Sequence, residues 1–394
     1  MTRLLSETTS GSARSALRAR IIEQFKEAYE RLSLPHELLR KASSRGLTLY
    51  LSGGGFRGWG YLLMSAHRIR PYPIPIINGF SVPVKDFKNT SHVSDLAAQN
   101  LNDRHNEGLG VFRVSKRRAG QVPAVSFLVD ALIEAIPVIS EVRFCQGGVR
   151  EGWLFDTLPL EVRAADPLVA ASAHYANDAN SAKHFATLLA SALPADCPVL
   201  DRRVPTAIND PYLLNAFANL LFLQQGHSKE GAAVTALHVP VTGQLASAHG
   251  VGHTERALLS LMLGQRWGGA GDLPAPNNDI RARLELLLTQ QEIWWARYLG
   301  VIGTCIGDTY PAGRMRNNLP RISLEAKWSE GLGKKGNMQG VVLLLRVEQE
   351  AAEVVTKDVV NDIVDRIEEI GKKKNRVGGK DYGYGVPLRV ELQG

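Results

Sequence analysis

Leu47-Thr-Leu-Tyr-Leu-Ser52-Gly53-Gly54-Gly55-Phe56-Arg57-Gly58-Trp59-Gly60 reads as a short apolar strand, a glycine turn, and the start of a helix carrying Tyr61, Leu62, Leu63 and Met64. Glycines between a strand and a helix let the backbone approach a ligand closely and adopt positive φ. The helix that follows offers unpaired N–H groups and the positive end of its dipole, which suits a phosphate. Three glycines also make a tight, well-packed turn without any ligand, and the residues alone leave both readings standing.

The same pattern returns downstream. Glu141-Val-Arg-Phe-Cys145 predicts a strand, Gln146-Gly147-Gly148 a second turn, and Arg150, Glu151, Trp153, Leu154 and Phe155 the helix after it. Arg150 and Glu151 either stand at the edge of a cleft or form a pair that caps the helix start. Two strand–glycine–helix units predict an α/β domain over residues 1–165. Ahead of them, residues 12–34 place Leu17, Ile21, Phe25 and Leu32 on one helical face, and Pro35 opens a short helix from His36 to Ala42. Pro71–Phe80, studded with prolines, is an edge strand or a laced loop. A polar helix is expected over 84–101. Ser115 is a good N-cap for an apolar helix running towards Ile136. Arg113, Lys116, Arg117 and Arg118 either hold an anion or form a solvated helix end.

Beyond Asp166 the character changes. Segments 167–193, 211–226, 246–266 and 278–300 read as helices with Pro/Gly/Asn joints, predicting an all-helical domain over 166–318. Residues 319–394 predict a small β-β-α-β unit: strands at 321–328 and 341–347, a helix at 352–371, and a strand at 385–392.

The bulk numbers fit this division, since 394 residues accommodate two or three domains. Hydrophobic residues at 44% and charged residues at 22% describe an ordinary soluble globular chain. Lys plus Arg (46) against Asp plus Glu (39) gives +7, a mild preference for anions and no nucleic-acid signature without a concentrated patch. Lys372-Lys-Lys-Asn-Arg376 reads as a solvated loop. Cys145, Cys197 and Cys305 form no C-x-x-C and suggest a reducing compartment. The N-terminus lacks an apolar signal region, and no run approaches the roughly 18 apolar residues of a membrane span. A cytoplasmic protein is expected, with a nuclear location left open.

Familiar catalytic patterns fail in turn. Gly53-x-Gly55-x-x-Gly58 matches the dinucleotide fingerprint in form, but the first carboxylate after it is Asp86, too far on for the ribose. No Lys-Ser/Thr follows the turn, so it is no P-loop. His249-Gly-Val-Gly-His253-Thr-Glu255 tempts a zinc reading, yet Gly250 and Gly252 oppose a shared helical face and the glutamate of H-E-x-x-H is missing. A structural or capping histidine pair is the reading, with no metal. No nucleophile elbow or local Cys–His pairing is present.

With these residues set out, the chain resembles the Ppx/GppA phosphatase family of exopolyphosphatases and guanosine pentaphosphate phosphohydrolases, and most of all its fungal retrograde-regulation branch. Leu49–Met64 with Pro71–Phe80 carries the resemblance, as does Val114-Ser-Lys-Arg-Arg-Ala, similar to the family's Ser-x-x-Arg-Ala helix start. Phe144-Cys-Gln-Gly-Gly-Val-Arg-Glu-Gly-Trp-Leu is similar to its Gly-Leu-Arg-Glu-Gly turn. Residues 12–165 are covered well and the remainder more loosely.

The resemblance implies an actin-like, ribonuclease H-like fold in which two related α/β domains clamp a phosphate or nucleotide. It makes Ser52, Gly53, Gly54, Gly55, Phe56 and Arg57 the second-domain glycine turn, with Gly147, Gly148, Arg150 and Glu151 completing the binding set. It makes the helical region a degenerate relative of the HD phosphohydrolases, and the whole chain α/β plus all-α. The family's Asp-x-Gly-Ser-Asn loop, catalytic Glu and Asp-Ile-Gly-Gly-Gly-Ser loop are not found in this sequence. The expectation is therefore the second half of the actin-like fold, beginning at the hinge helix. Mg²⁺ belongs to a complete family enzyme. Hydrolysis needs a positioned base and donors around the phosphoryl group. A regulatory protein with a half-site for nucleotide or polyphosphate, and no hydrolysis by this chain alone, is the resulting expectation. The rivals are a phosphoanhydride hydrolase completed by the missing domain, and a scaffold binding a protein partner or a second copy through an exposed apolar face.

Overall fold

The computed structural model describes residues 10–102, 114–195, 203–333, 336–351 and 353–393; Arg113 and Cys197 lie outside them. The chain forms two compact units, Met1–Arg163 and Ala164–Gly394.

In the first unit, α1 (Gly11–Arg31) begins at Ser10, whose Oγ accepts from Ala13 N–H at 3.2 Å. After α2 (His36–Arg45) come β1 (Leu47–Leu51) and α3 (Gly54–Ser65), then β2 (Ser81–Pro83), α4 (Val84–Phe87) and α5 (Thr90–Asn102). The unit closes with α6 (Lys116–Ala119), α7 (Val122–Ala135), β3 (Ile139–Phe144), α8 (Val149–Asp156) and α9 (Leu160–Arg163). The sheet order is β1-β3-β2. β1 runs parallel to β3, with Leu49 beside Val142 and Leu51 beside Phe144, and β2 is antiparallel to β3. Pro71, Pro73 and Pro75 lack the N–H a ladder needs, so Pro71–Phe80 stays extended and joins the sheet only at its end. There Gly79 N–H donates to Phe144 O at 2.9 Å and Phe144 N–H to Phe80 O at 2.8 Å. Helices α3 and α7 share one core with β3, built on Trp59, Leu62, Phe80, Phe87, Val129, Val142 and Phe144. Trp59 satisfies its indole N–H on Phe87 O at 3.2 Å.

The second unit starts with α10 (Pro167–Ser172), α11 (Ala179–Ser191), α12 (Pro211–Leu220) and α13 (Lys229–His238), followed by α14 (His253–Arg266), α15 (Ala275–Glu285) and α16 (Gln290–Thr309). It ends with β4 (Ile322–Leu332), β5 (Met338–Val347), α17 (Lys357–Ile370) and β6 (Leu388–Gln393). The helix expected over 167–193 is interrupted, because the Asp178 carboxylate accepts from Ser181 N–H at 2.7 Å and starts α11 afresh. The stretch 278–300 is likewise divided, with Thr289 and Glu292 forming a capping box at the head of α16. The helix expected from 246 begins only at His253. Gly250 sits at φ 81°, and the buried Arg256 guanidinium donates to the carbonyls of Pro240, Leu245 and Ala248 at 2.6, 2.8 and 2.6 Å. Those carbonyls are therefore spent outside any helix. Helix α13 escaped the periodic reading because its buried face is Ala232, Ala233, Ala236 and Leu237, a weak signal.

β4 and β5 form a hairpin, and β6 returns parallel to β5 through α17, the crossover a parallel pair requires. The stretches 166–318 and 319–394 lie in this one unit and share a core: Ile322, Val341 and Leu343 cluster with Trp294, Leu299 and Ile306. No helix among the described residues is long and apolar enough to cross a membrane.

Candidate functional site

The parallel register of β1 and β3 carries both glycine turns to the same end of the sheet, at the carboxyl ends of neighbouring strands. That is where open α/β sheets bind ligands. Cys145 N–H donates to Leu51 O at 2.8 Å, continuing the ladder into the turns. Ser52 Oγ then donates to Gly147 O at 2.7 Å, a direct bond from one turn to the other. Gly53 at φ 112° and Gly147 at φ 114° both occupy backbone that L-residues avoid.

Each glycine of the first turn has its own reason. A Cβ on Gly55 would stand 2.9 Å from Val125 Cγ2, and one on Gly60 would stand 2.6 Å from Ile77 Cδ1 and 2.9 Å from Phe144 Cδ1. Those glycines let α3 pack against α7 and β3. Gly54 differs: it heads α3 without positive φ, and a Cβ there would meet nothing within 4 Å. Neither strain nor packing asks for glycine at 54, and the space above it is open.

The head of α3 has no side-chain cap, since its N-cap is Gly53. Gly54, Gly55 and Phe56 lie in the first turn, where N–H groups have no intrahelical acceptor; Arg57 N–H makes the first bond, to Gly53 O at 3.0 Å. The Arg57 Nε is buried without a hydrogen-bond partner. The head of α8 is closed by contrast: Glu151 reaches back and accepts from Gly148 N–H at 2.9 Å. Between the two sequence readings of Arg150–Glu151, the geometry uses Glu151 as a cap, and Arg150 is exposed.

One contributor was missed. Asn78 is buried, and its Oδ1 accepts from Gln146 N–H at 3.2 Å, anchoring the second turn from the proline-rich stretch. The Asn78-Gly79 pair, a strong turn signal at the close of an extended run, marked the place.

Around the turns, burial pushes the Cys145 thiol up from its ordinary value against the pull of Arg143, so it is no thiolate nucleophile. Glu151 is the one carboxylate of the set, and it is engaged. The donors gathered here are backbone N–H groups, which suit an anion and do not fit Mg²⁺. Of the basic group, Arg113 lies outside the described residues, and Arg118 N–H bonds to Ser115 Oγ at 3.4 Å, which caps only the short α6; the apolar helix expected from Ser115 starts afresh as α7 after Gln121. His249 is exposed while His253 is buried at the head of α14, and no group of three His, Cys, Asp or Glu among the described residues is placed to hold a metal ion.

Comparison with known proteins covers most of the chain. The family model described as "RTG2 C-terminal domain" matches residues 166–394, more than half of the chain and nearly all of the second unit. The chain is also 35% identical over 314 residues to retrograde regulation protein 2 of Saccharomyces cerevisiae, covering 77% of this chain and 51% of that protein. The chain thus spans about half the length of the curated relative it matches. On the family match and this identity, the chain belongs to the RTG2 C-terminal domain family.

Proposed function

We propose that this chain serves in a retrograde-signalling regulator, with the paired glycine turns as a half-site for the phosphates of a nucleotide or polyphosphate. The observation that carries the reading is Gly54: a glycine at an uncapped helix head, required by neither φ nor packing, beside a turn tied to it through Ser52 and Gly147. Open N–H groups at such a head are matched to phosphate oxygens. The likeness to retrograde regulation protein 2 supports the regulatory role. The relation to the Ppx/GppA phosphatases, with an actin-like first unit and an HD-like helical region, belongs to the same proposal.

Hydrolysis by this chain alone is not part of it, because the carboxylate found within the two turns among the described residues, Glu151, is engaged as a cap and is not placed as a base. The test is phosphate release from polyphosphate and from guanosine pentaphosphate with Mg²⁺, run beside equilibrium binding of both ligands. Binding without turnover, abolished in Gly54→Asp, is the expected result. Steady phosphate release would overturn the regulator reading in favour of a hydrolase.

A second reading has its own observation. Helix α8 buries none of its residues and exposes Val149, Trp153, Leu154 and Phe155, followed by exposed Leu158, Leu160 and Val162. An apolar surface of this kind marks a protein-binding face, and a scaffold role would use it. Native crosslinking that places a partner on Trp153 would favour that role.

A further inference from the structure

We propose that the carboxyl end of α14 holds a binding site for the carboxylate of a small molecule, with Arg266 as its anchor and Trp267 and Arg366 as neighbouring donors. The inference does not rest on the glycine turns.

Helix α14 carries two buried arginines, and their surroundings differ. Arg256 gives its terminal nitrogens to three loop carbonyls. Arg266 is only 8% exposed, yet its guanidinium meets no hydrogen-bond acceptor among the described residues, and its Nε is buried without a partner. The adjacent Trp267 repeats the pattern, for its indole Nε1 is also buried without a partner. An indole N–H can only donate, so an acceptor is wanted there too. The guanidinium carbon lies 4.3 Å from the centre of the Trp267 ring and 6.0 Å from that of Phe222. Ring faces attract the charge but bring no oxygen to the N–H donors. Gly307 makes the space that the guanidinium occupies, since a Cβ there would stand 2.5 Å from Arg266 Cζ. A buried charge left without hydrogen bonds is costly, and an arriving anion would remove that cost.

The charges around Arg266 specify the ligand. Asp308, in the last turn of α16, and Arg366, on α17, both act on it electrostatically. The Asp308 carboxylate already accepts from Arg366 Nη1 at 3.0 Å. Cys305, on the same stretch of α16, adds no charge, because burial pushes its thiol up to about 12. Two guanidinia therefore face one carboxylate, which leaves a single positive charge unanswered. A second carboxylate matches that charge, and its two oxygens pair edge-on with a guanidinium. A phosphate group carries about −1.5 to −2 near neutral pH and would be opposed by Asp308. The Asp308 and Arg366 side chains are partly exposed, so a ligand reaches Arg266 from the solvent side of α16 and α17.

The experiment follows isotope-labelled acetate by NMR line broadening as the full chain is added, in chloride buffer of constant ionic strength. Acetate should broaden saturably. Arg266→Met fills a similar space without charge and should abolish the effect. Arg366→Gln should weaken binding by about tenfold, whereas Asp308→Asn, which removes the opposing charge, should tighten it several-fold. Both of these residues are partly exposed, which keeps the test valid if Arg266→Met misfolds. No saturable broadening by about 100 mM acetate, broadening that survives Arg266→Met, or weaker binding in Asp308→Asn would overturn the proposal. So would displacement of acetate by phosphate or chloride at lower concentration than by propionate, which would make the site a general cationic surface.

Discussion

A methyl group on Gly60 would stand 2.6 Å from Ile77 Cδ1, whereas one on Gly54 would meet nothing within 4 Å, although both glycines belong to one helix. Gly60→Ala should therefore cost about 1–3 kcal/mol in urea unfolding, the usual penalty for overpacking. Gly54→Asp should change the unfolding free energy by no more than about 0.5 kcal/mol while abolishing phosphate-ligand binding. Loss of stability in the second variant would remove the case for Gly54 as a ligand-facing residue. Arg256 is a different kind of residue. Burial pushes its guanidinium down to about 10 against the pull of Glu255, and it holds three loop carbonyls. Arg256→Ala should cost about 3 kcal/mol or more, because it orphans buried acceptors. His184 supplies a pH test. Tyr310 OH accepts from Arg321 N–H at 2.7 Å and shares a second hydrogen bond with His184 Nε2 at 3.2 Å. Burial holds the His184 pKa below the ordinary 6.5. The unfolded chain then binds the proton more readily, so stability is complete above 6.5 and falls as pH drops through that value. Urea midpoints from pH 8 to pH 5 should show this fall, and His184→Gln should flatten it.

Among the elements, α16 shows how small residues set packing. Gly300, Gly303 and Gly307 recur along one side of it, where Gly303 admits Phe217 and Leu221, Gly300 admits Met262 and Gln265, and Gly307 leaves room for the Arg266 guanidinium. A Cβ on Gly303 would stand 2.8 Å from Phe217 Cζ, so Gly303→Val should lower the free energy of unfolding in urea by about 1–3 kcal/mol, more than the same change at the open Gly152. Element types along the chain were largely legible, because strong local signals coincide with the final structure. β1 and β3 alternate or run apolar before glycines, and residues 357–370 have an apolar stripe at Val360, Ile363 and Ile367. Element limits were less legible. The stretch 246–252 stays outside the helix, with Gly250 at positive φ and the Ala248 carbonyl bound by the Arg256 guanidinium.

At the level of the whole molecule, the helices of 166–318 and the strands of 319–394 bury their apolar faces in one core, with Trp295 Nε1 reaching Tyr384 OH at 3.1 Å. A fragment of residues 164–394 should then unfold in a single transition, with far-UV circular dichroism and the fluorescence of Trp294 and Trp295 coinciding in urea. Two separated transitions would mean that these stretches fold as independent domains. The sequence by itself determined most of the elements and the two turns where Gly53 and Gly147 are needed, because apolar period, caps and positive φ act within a few residues. Tertiary structure alone decided which glycines face neighbours and which face open space, that Ser52 ties one turn to the other, that Asn78 braces the second, and that Glu151 is spent as a cap. The bonds of Ser52 and Asn78, like the packing around the glycines, depend on distances between residues far apart in the chain. Such distances come into being only when β1 and β3 pair and the helices close over them.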